Sequence, residues 1–197
     1  MQRCLMLDVD GVLVNGRPAD GLFWATDIGS DLGISRDALH AVLFEPHWNE
    51  IVTGRKQLWS VIETALAGLA PSLKPQDFID YWFAMDARLD EAALADCSDL
   101  RRRGIRIVLA TNQDHLRAAH LMNDLGLRHH VDGIVYSAQI GARKPERAFF
   151  EAAACQSGHR PESLVLVDDT RANVEAALEA GWGAVLWTRE KRLRDLV

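Results

Sequence analysis

The stretch Cys4-Leu5-Met6-Leu7-Asp8-Val9-Asp10-Gly11-Val12-Leu13-Val14 decides how this chain is read. An apolar run of this length near the start of a chain is a buried strand. Packing alone does not explain two carboxylates at its far end, because a buried charge is costly unless it is paired or metal-bound. A period of two places Asp8 and Asp10 on the same side and Val9 on the other. Gly11 lets the chain leave the strand sharply and leaves room for a ligand beside the backbone. Two like charges this close call for a positive partner, and a hard divalent cation such as Mg²⁺ takes oxygen ligands. Two solvated acids at a strand end are the plainer alternative.

Outward from this stretch the chain changes character twice. Asn15 to Gly21 is rich in turn formers. From Leu22 to Met85 the segments are amphipathic and helix-like. Ser35 caps a helix with Ala38, Leu39, Val42 and Leu43 on one face; Leu58, Ile62, Ala65 and Leu66 form a second stripe. Pro75 opens a third helix, with Phe78, Ile79 and Trp82 apolar. From Asp86 onward helices and strands alternate. Strands are expected at Ile105–Ala110, Val131–Tyr136, Ser163–Val167 and Ala184–Trp187. Helices stop at Gly104, Gly126 and Gly181, where glycine accepts the left-handed conformation of a helix C-terminus. Apolar strands alternating with helices mean a parallel sheet covered on both faces. The expected fold is therefore α/β: a Rossmann-like parallel core built from residues 1–20 and 87–197, with an all-helical cap at residues 21–86.

Composition narrows the function. With 22 basic and 28 acidic residues the net charge is −6, which argues against a general binder of nucleic acid or of anionic membranes. The three cysteines form no metal-ligand spacing and no disulfide framework. Asp8 and Asp10 interrupt the first apolar run, so it is no signal peptide, and a cytoplasmic location is expected.

In an open parallel sheet, ligands bind beyond the C-terminal ends of the strands. There the sequence places Asp8 and Asp10, then Thr111-Asn112-Gln113, then a loop with Lys144-Pro145, and finally Asp168-Asp169. Four acids, a hydroxyl and a lysine converge on one rim. Taken singly, Thr111 reads as a helix-capping hydroxyl and Lys144 as an exposed loop lysine.

In this order the residues resemble the four motifs of the haloacid dehalogenase-like hydrolase superfamily. Asp8-Val9-Asp10-Gly11-Val12 resembles the first, Thr111 the second, Lys144-Pro145 the third, and Asp168-Asp169 with Asn173 the fourth. The resemblance implies a Mg²⁺-dependent phosphatase acting on a small phosphomonoester. Asp8 would be the nucleophile and form an aspartyl-phosphate, and Asp10 the general acid and base. Mg²⁺ would be held by Asp8, the Asp10 carbonyl and Asp169 directly, with Asp168 acting through water. Asn173 would orient the acids, while Thr111, the Asn112 backbone and Lys144 would meet phosphoryl oxygens.

The inserted helices resemble the family's cap. His47, Trp48, Arg55, Lys56 and Trp59 are its candidates for contacting substrate, the cations for a second anionic group and the tryptophans for a ring. The plainer reading makes the tryptophans cap core and the cations a solvated face. A sugar phosphomutase is the alternative enzyme, and a non-catalytic binding protein the alternative outside enzymes; the presence of both Asp8 and Asp10 speaks against the latter. The expected partner is a small phosphorylated metabolite, and the chain would be a monomer or a homodimer.

Overall fold

The computed structural model describes residues 3–196, so the outermost residues of the expected core, 1, 2 and 197, lie outside the described residues. Five parallel strands form one sheet in the order β3-β2-β1-β4-β5. They are β1 (Cys4–Leu7), β2 (Arg106–Thr111), β3 (Gly133–Tyr136), β4 (Leu164–Asp168) and β5 (Gly183–Leu186). The first strand is central: Leu7 lies opposite Leu109 on one side and Val167 on the other. Successive strands run outward from β1 in opposite directions. The crevice where they part is where the topology places a ligand.

Alternation along β1 sorts the layers. Leu5, Leu7 and Val9 face a cluster with Ala93, Leu94, Cys97 and Leu100 of α6 (Glu91–Arg102) and Leu121 of α7 (His115–Asn123). Cys4 and Met6 face the other way, toward Phe149, Phe150 and Ala153 of α9 (Arg147–Ser157), which follows the short α8 (Ser137–Ile140), and Ala177 of α10 (Arg171–Glu179). The alternation carries past the strand. The Asp8 N–H still donates to the Val167 carbonyl at 2.9 Å, and Val9 is fully buried. Every later strand shifts by a residue or two from the sequence reading: β2 begins at Arg106, β4 begins at Leu164 and takes in Asp168, and β5 begins at Gly183 and ends at Leu186. Thr111 is the last residue of β2 rather than the first beyond it, and β3 starts at Gly133, with Val131 buried just ahead of it.

Residues 28–85 form the helical block: α1 (Ile28–Leu32), α2 (Arg36–Leu39), α3 (Glu45–Val52), α4 (Leu58–Leu69) and α5 (Pro75–Met85). It has its own apolar cluster, in which Leu39, Leu43, Leu58, Ile62, Leu66, Phe78, Ile79 and Trp82 are buried as the helical stripes predict. Removing a side chain such as the fully buried Phe78 would cost about 3–5 kcal/mol. Val42 departs from the expectation and is 43% exposed. It lies in a π-helical turn, His40–Phe44, joining α2 to α3. Pro46 explains that turn: it has no N–H for a helical bond to Val42, so the ladder widens just before it. The extra residue rotates Val42 off the buried face.

The chain enters and leaves this block side by side. Asn15 N–H donates to the Arg88 carbonyl, Arg88 N–H to the Gly16 carbonyl and Asp90 N–H to the Leu13 carbonyl, at 2.8, 3.0 and 2.9 Å. Val14 and Leu89 form an antiparallel bridge between the two passes. No helix among the described residues is long and apolar enough to cross a membrane.

Candidate active site

The tips of β1, β2 and β4, and the loop before α9, deliver the polar residues. Asp8, Asp168 and Asp169 each offer a carboxylate oxygen, and the three oxygens lie within 4.8 Å of one another. Lys144 bridges the first two: its Nζ is 3.0 Å from Asp8 Oδ1 and 2.5 Å from Asp168 Oδ2. It is no exposed loop lysine, being only 2% accessible. Asn112 fixes it there through its side chain. Asn112 Oδ1 accepts from the Lys144 N–H at 2.8 Å, and Nδ2 donates to the Lys144 carbonyl at 2.9 Å. Burial alone would push the Lys144 amine down, but the two adjoining carboxylates reverse that and hold it above its ordinary value.

The two acids at the end of β4 differ in freedom. Asp168 is fully buried and saturated: Lys144, the Thr170 N–H (2.8 Å) and Asn173 Nδ2 (3.0 and 3.1 Å) all donate to it. Asp169 is exposed. It leans over Gly11, where a Cβ would stand 2.6 Å from Asp169 Cγ and closer still to Oδ2; Gly11 also has φ +78°. A side chain there would displace the Asp169 carboxylate and strain a left-handed backbone. Asn173 is buried against Asp168, not on the helix surface.

Burial pushes the Asp8 carboxyl up to about 7, with Lys144 opposing and Asp168 and Asp10 adding repulsion. Asp10 stands near enough to the acid cluster to repel it and lines a cavity. Its Oδ2 accepts from Gln113 Nε2 at 2.7 Å, and its carboxyl is raised by desolvation against the opposing pull of Arg117. Thr111 is buried at the strand tip, with its Oγ1 3.4 Å from the same Gln113 amide.

Three of these neighbours carried no role in the sequence. Gln113 was readable as a strand-tip residue on the same side as Thr111, but nothing marked its partner. Arg117, 2% accessible, pairs with Asp86 Oδ2 at 3.2 Å, also donates to the Asp86 carbonyl, and lies 5.1 Å over the Phe83 ring. Asp86 ends the helical block, and burial with the nearby Asp10 charge pushes it up to about 6.

A cavity of about 620 Å³ opens from Asp10 and Gly11 toward the helical block. Of the five expected substrate contacts in that block, Trp48 lines it. The other four lie elsewhere. Lys56 binds Glu50 at 2.6 Å and stands 3.1 Å from His47 Nδ1, while Arg55 Nε donates to Thr53 Oγ1. The tight turn at Gly54, whose Cβ would meet the Ala138 carbonyl at 2.5 Å, holds this loop against the core. Trp59, 38% exposed, lies with Leu116 beside α7.

With fold and site in place, the comparisons agree on the class: the haloacid dehalogenase-like hydrolase pattern matches residues 2–181, and this chain belongs to that family. It is similar to the fructose-1-phosphate phosphatase YqaB of Escherichia coli, at 26% identity over 92% of this chain and 94% of that protein. It is also similar to a phosphoserine phosphatase of Thermus thermophilus, at 34% identity over 53% of this chain and 41% of that one. It thus spans less than half the length of that relative, and likewise of a Mycobacterium tuberculosis phosphatase (45%) and a Methanothermobacter glyceraldehyde 3-phosphate phosphatase (41%). Among solved structures, the HAD family enzyme bt-2542 of Bacteroides thetaiotaomicron, in complex with magnesium and inorganic phosphate, has the same fold. The TM-score is 0.83 at 14% identity, covering 100% and 99% of the two chains. An L-2-haloacid dehalogenase from Xanthobacter autotrophicus shares the fold at TM-score 0.65 and 16% identity, covering 96% and 80%.

Proposed function

We propose that the chain is a Mg²⁺-dependent phosphatase that cleaves a small phosphomonoester through an aspartyl-phosphate on Asp8. The observation that carries this reading is the grouping of Asp8, Asp168 and Asp169 with Lys144 between the first two. The donor set fits a hard cation: all oxygen, with Asp169 exposed, held by the Thr170 hydroxyl at 3.2 Å, and Gly11 leaving space beside it. Asp8, Asp169 and the Asp10 carbonyl would hold the ion, with Asp168 behind them fixing Lys144. When bound, it supplies positive charge that offsets the repulsion between Asp8 and an incoming phosphate.

The chain's own residues account for the rest. Asp8 Oδ attacks phosphorus and the bond to the leaving oxygen breaks. Asp10, open to the cavity and with its carboxyl raised by desolvation there, gives a proton to the leaving oxygen. Water then attacks the phosphorus, Asp10 takes its proton, and the Asp8–phosphorus bond breaks to release inorganic phosphate. Lys144 and Thr111 face the transferring group from the core, and the helical block, residues 21–86, serves as the cap that keeps bulk water out. Carbon–halogen displacement needs neither Asp10 as proton donor nor a cation held by Asp169, so the dehalogenase chemistry of some fold neighbours is disfavoured.

A phosphate-release screen over metabolite phosphates, with Mg²⁺ and with chelator, tests the proposal. Release should require the metal and disappear in Asp8→Asn. Halide release from 2-haloacids without metal, or Asp8→Asn activity near wild type, would overturn it. Sugar phosphates that isomerise without releasing phosphate would point to the mutase.

A further inference from the structure

The cavity above Asp10 has an unusual wall. From the helical block it takes Phe23, Trp24, His40, Phe44, Trp48 and Trp82, together with Glu45, and no lysine or arginine. The rings brace one another. Trp24 stacks on Trp82 with centroids 5.1 Å apart, Phe44 meets Trp82 edge-on at 5.5 Å, and Trp48 lies 5.5 Å from Phe44 and 6.1 Å from Trp82. These separations lie in the range of mutually attractive ring pairs, so the wall is preformed. The widened turn at His40–Phe44 supplies two of the lining residues from its first and last positions.

The charges are equally specific. Arg36 of the block lies over the Phe23 ring and borders a separate cavity of about 140 Å³. Two arginines of the core line the main cavity. Arg117 is engaged by Asp86 through Nη2 while its buried Nη1 has no protein partner, and exposed Arg189 donates to Asn15 Oδ1 at 3.1 Å. A volume of about 620 Å³ exceeds what a phosphoryl group alone needs and falls within the range of sites for whole small molecules.

We infer that the leaving alcohol of the substrate is an uncharged, ring-bearing group that lies against the Phe44–Trp48–Trp82 wall, and that a second anionic group is discriminated against. The inference rests on the phosphatase reading for the position of the phosphoryl end, at Asp8 and Asp169. The ring end is set by the wall alone. A flat apolar face gains contact with several rings at once, whereas a second phosphate or carboxylate would be desolvated there beside Glu45 with no lysine or arginine of the block to meet it.

Four esters of the same phosphoryl group decide it: benzyl phosphate, ethyl phosphate, phosphoglycolate and phosphocholine, each with Mg²⁺. The expected kcat/KM for benzyl phosphate is at least tenfold above that for ethyl phosphate, and phosphoglycolate falls at or below ethyl phosphate. Trp48→Ala should shrink the benzyl-to-ethyl ratio at least fivefold, and Trp48→Phe should keep most of it, which separates lost stacking from lost folding. Glu45→Lys, an exposed change, should raise phosphoglycolate turnover relative to ethyl phosphate. Equal rates for benzyl and ethyl phosphate would overturn the inference and leave the phosphatase standing. So would a preference for phosphocholine, or a preference for phosphoglycolate lost in Arg189→Gln. Were no ester hydrolysed, the phosphatase reading would fail; saturable quenching of tryptophan fluorescence by benzyl phosphate but not ethyl phosphate would still support the ring site, and its absence would overturn that too.

Discussion

Gln113 Nε2 donates to Asp10 Oδ2 at 2.7 Å, tying the tip of β2 to the turn that follows β1. Gln113 is itself buried, so the amide has few other geometries open to it. It aims the carboxyl that the proposed mechanism uses as acid and base without touching the phosphoryl group. Gln113→Leu should lower kcat by about 10- to 100-fold, the usual cost of losing an orienting partner, with KM changed less than threefold. Gln113→Asn should recover little, because a side chain one methylene shorter falls short of Asp10. A matching rise in KM would mean that Gln113 binds substrate instead.

Gly11 gives a sharper test of the metal. A methyl there collides with Asp169 and imposes a left-handed backbone on an ordinary residue. Gly11→Ala should cost on the order of 1–2 kcal/mol of stability in denaturant titration. Isothermal titration should also show Mg²⁺ affinity weakened at least tenfold. Wild-type affinity in that variant would separate Asp169 from the ion.

Lys144 holds together two acids that would otherwise repel. Lys144→Met leaves Asp8 and Asp168 buried and unbalanced, which should destabilise the fold by roughly 3–5 kcal/mol. Adding Asp168→Asn should restore much of the melting temperature. Activity should stay roughly 10²- to 10³-fold down in both, since the positive charge near the phosphoryl group is gone. Recovery of activity in the double variant would limit Lys144 to a structural role.

Asp86 gives a pH signature in stability. Its folded value of about 6 lies above the ordinary 3.8, so the native state holds the proton more tightly than the unfolded chain does. Its contribution is fully present below about pH 4 and is lost as pH rises through 6. Denaturant midpoints of wild type and Asp86→Asn should therefore diverge in the variant's favour between pH 4 and 7.5, by on the order of 1–3 kcal/mol. A difference independent of pH would show that the pair with Arg117 keeps Asp86 ionised throughout.

The core was legible because its signals are local. Strand periodicity placed Leu5, Leu7 and Val9 on one face and left Asp8 and Asp10 on the other, and glycines at 104, 126 and 181 marked turns whose φ values are +82°, +79° and +83°. Lys144 read as functional only through the company of the other motifs; nothing local tells a buried lysine from a loop lysine. The helical block was less readable. Its stripes were correct except at Val42, where Pro46 shifts the helical period by one residue. Which of its side chains face the site depends on how the block sits on the core, and that is set by contacts such as Gly54 against Ala138 that no periodicity encodes. Hence Trp48 was found while Phe44, Trp82 and Glu45 were not, and Arg55 and Lys56 lie outside the cavity. Arg117 and Asp86, 31 residues apart, meet only in the folded chain.

The paired passes at Leu13–Gly16 and Arg88–Asp90 behave as a single strap with both of its ends sewn into the sheet. The aromatic wall over Asp10 is joined to the sheet covalently through this one ribbon, and Gly54 against Ala138 anchors the block at a second point. The same arrangement makes the insert exchangeable: a different set of helices spliced between the two passes would meet an unchanged reaction centre, and selectivity could be rewritten without redesigning the chemistry.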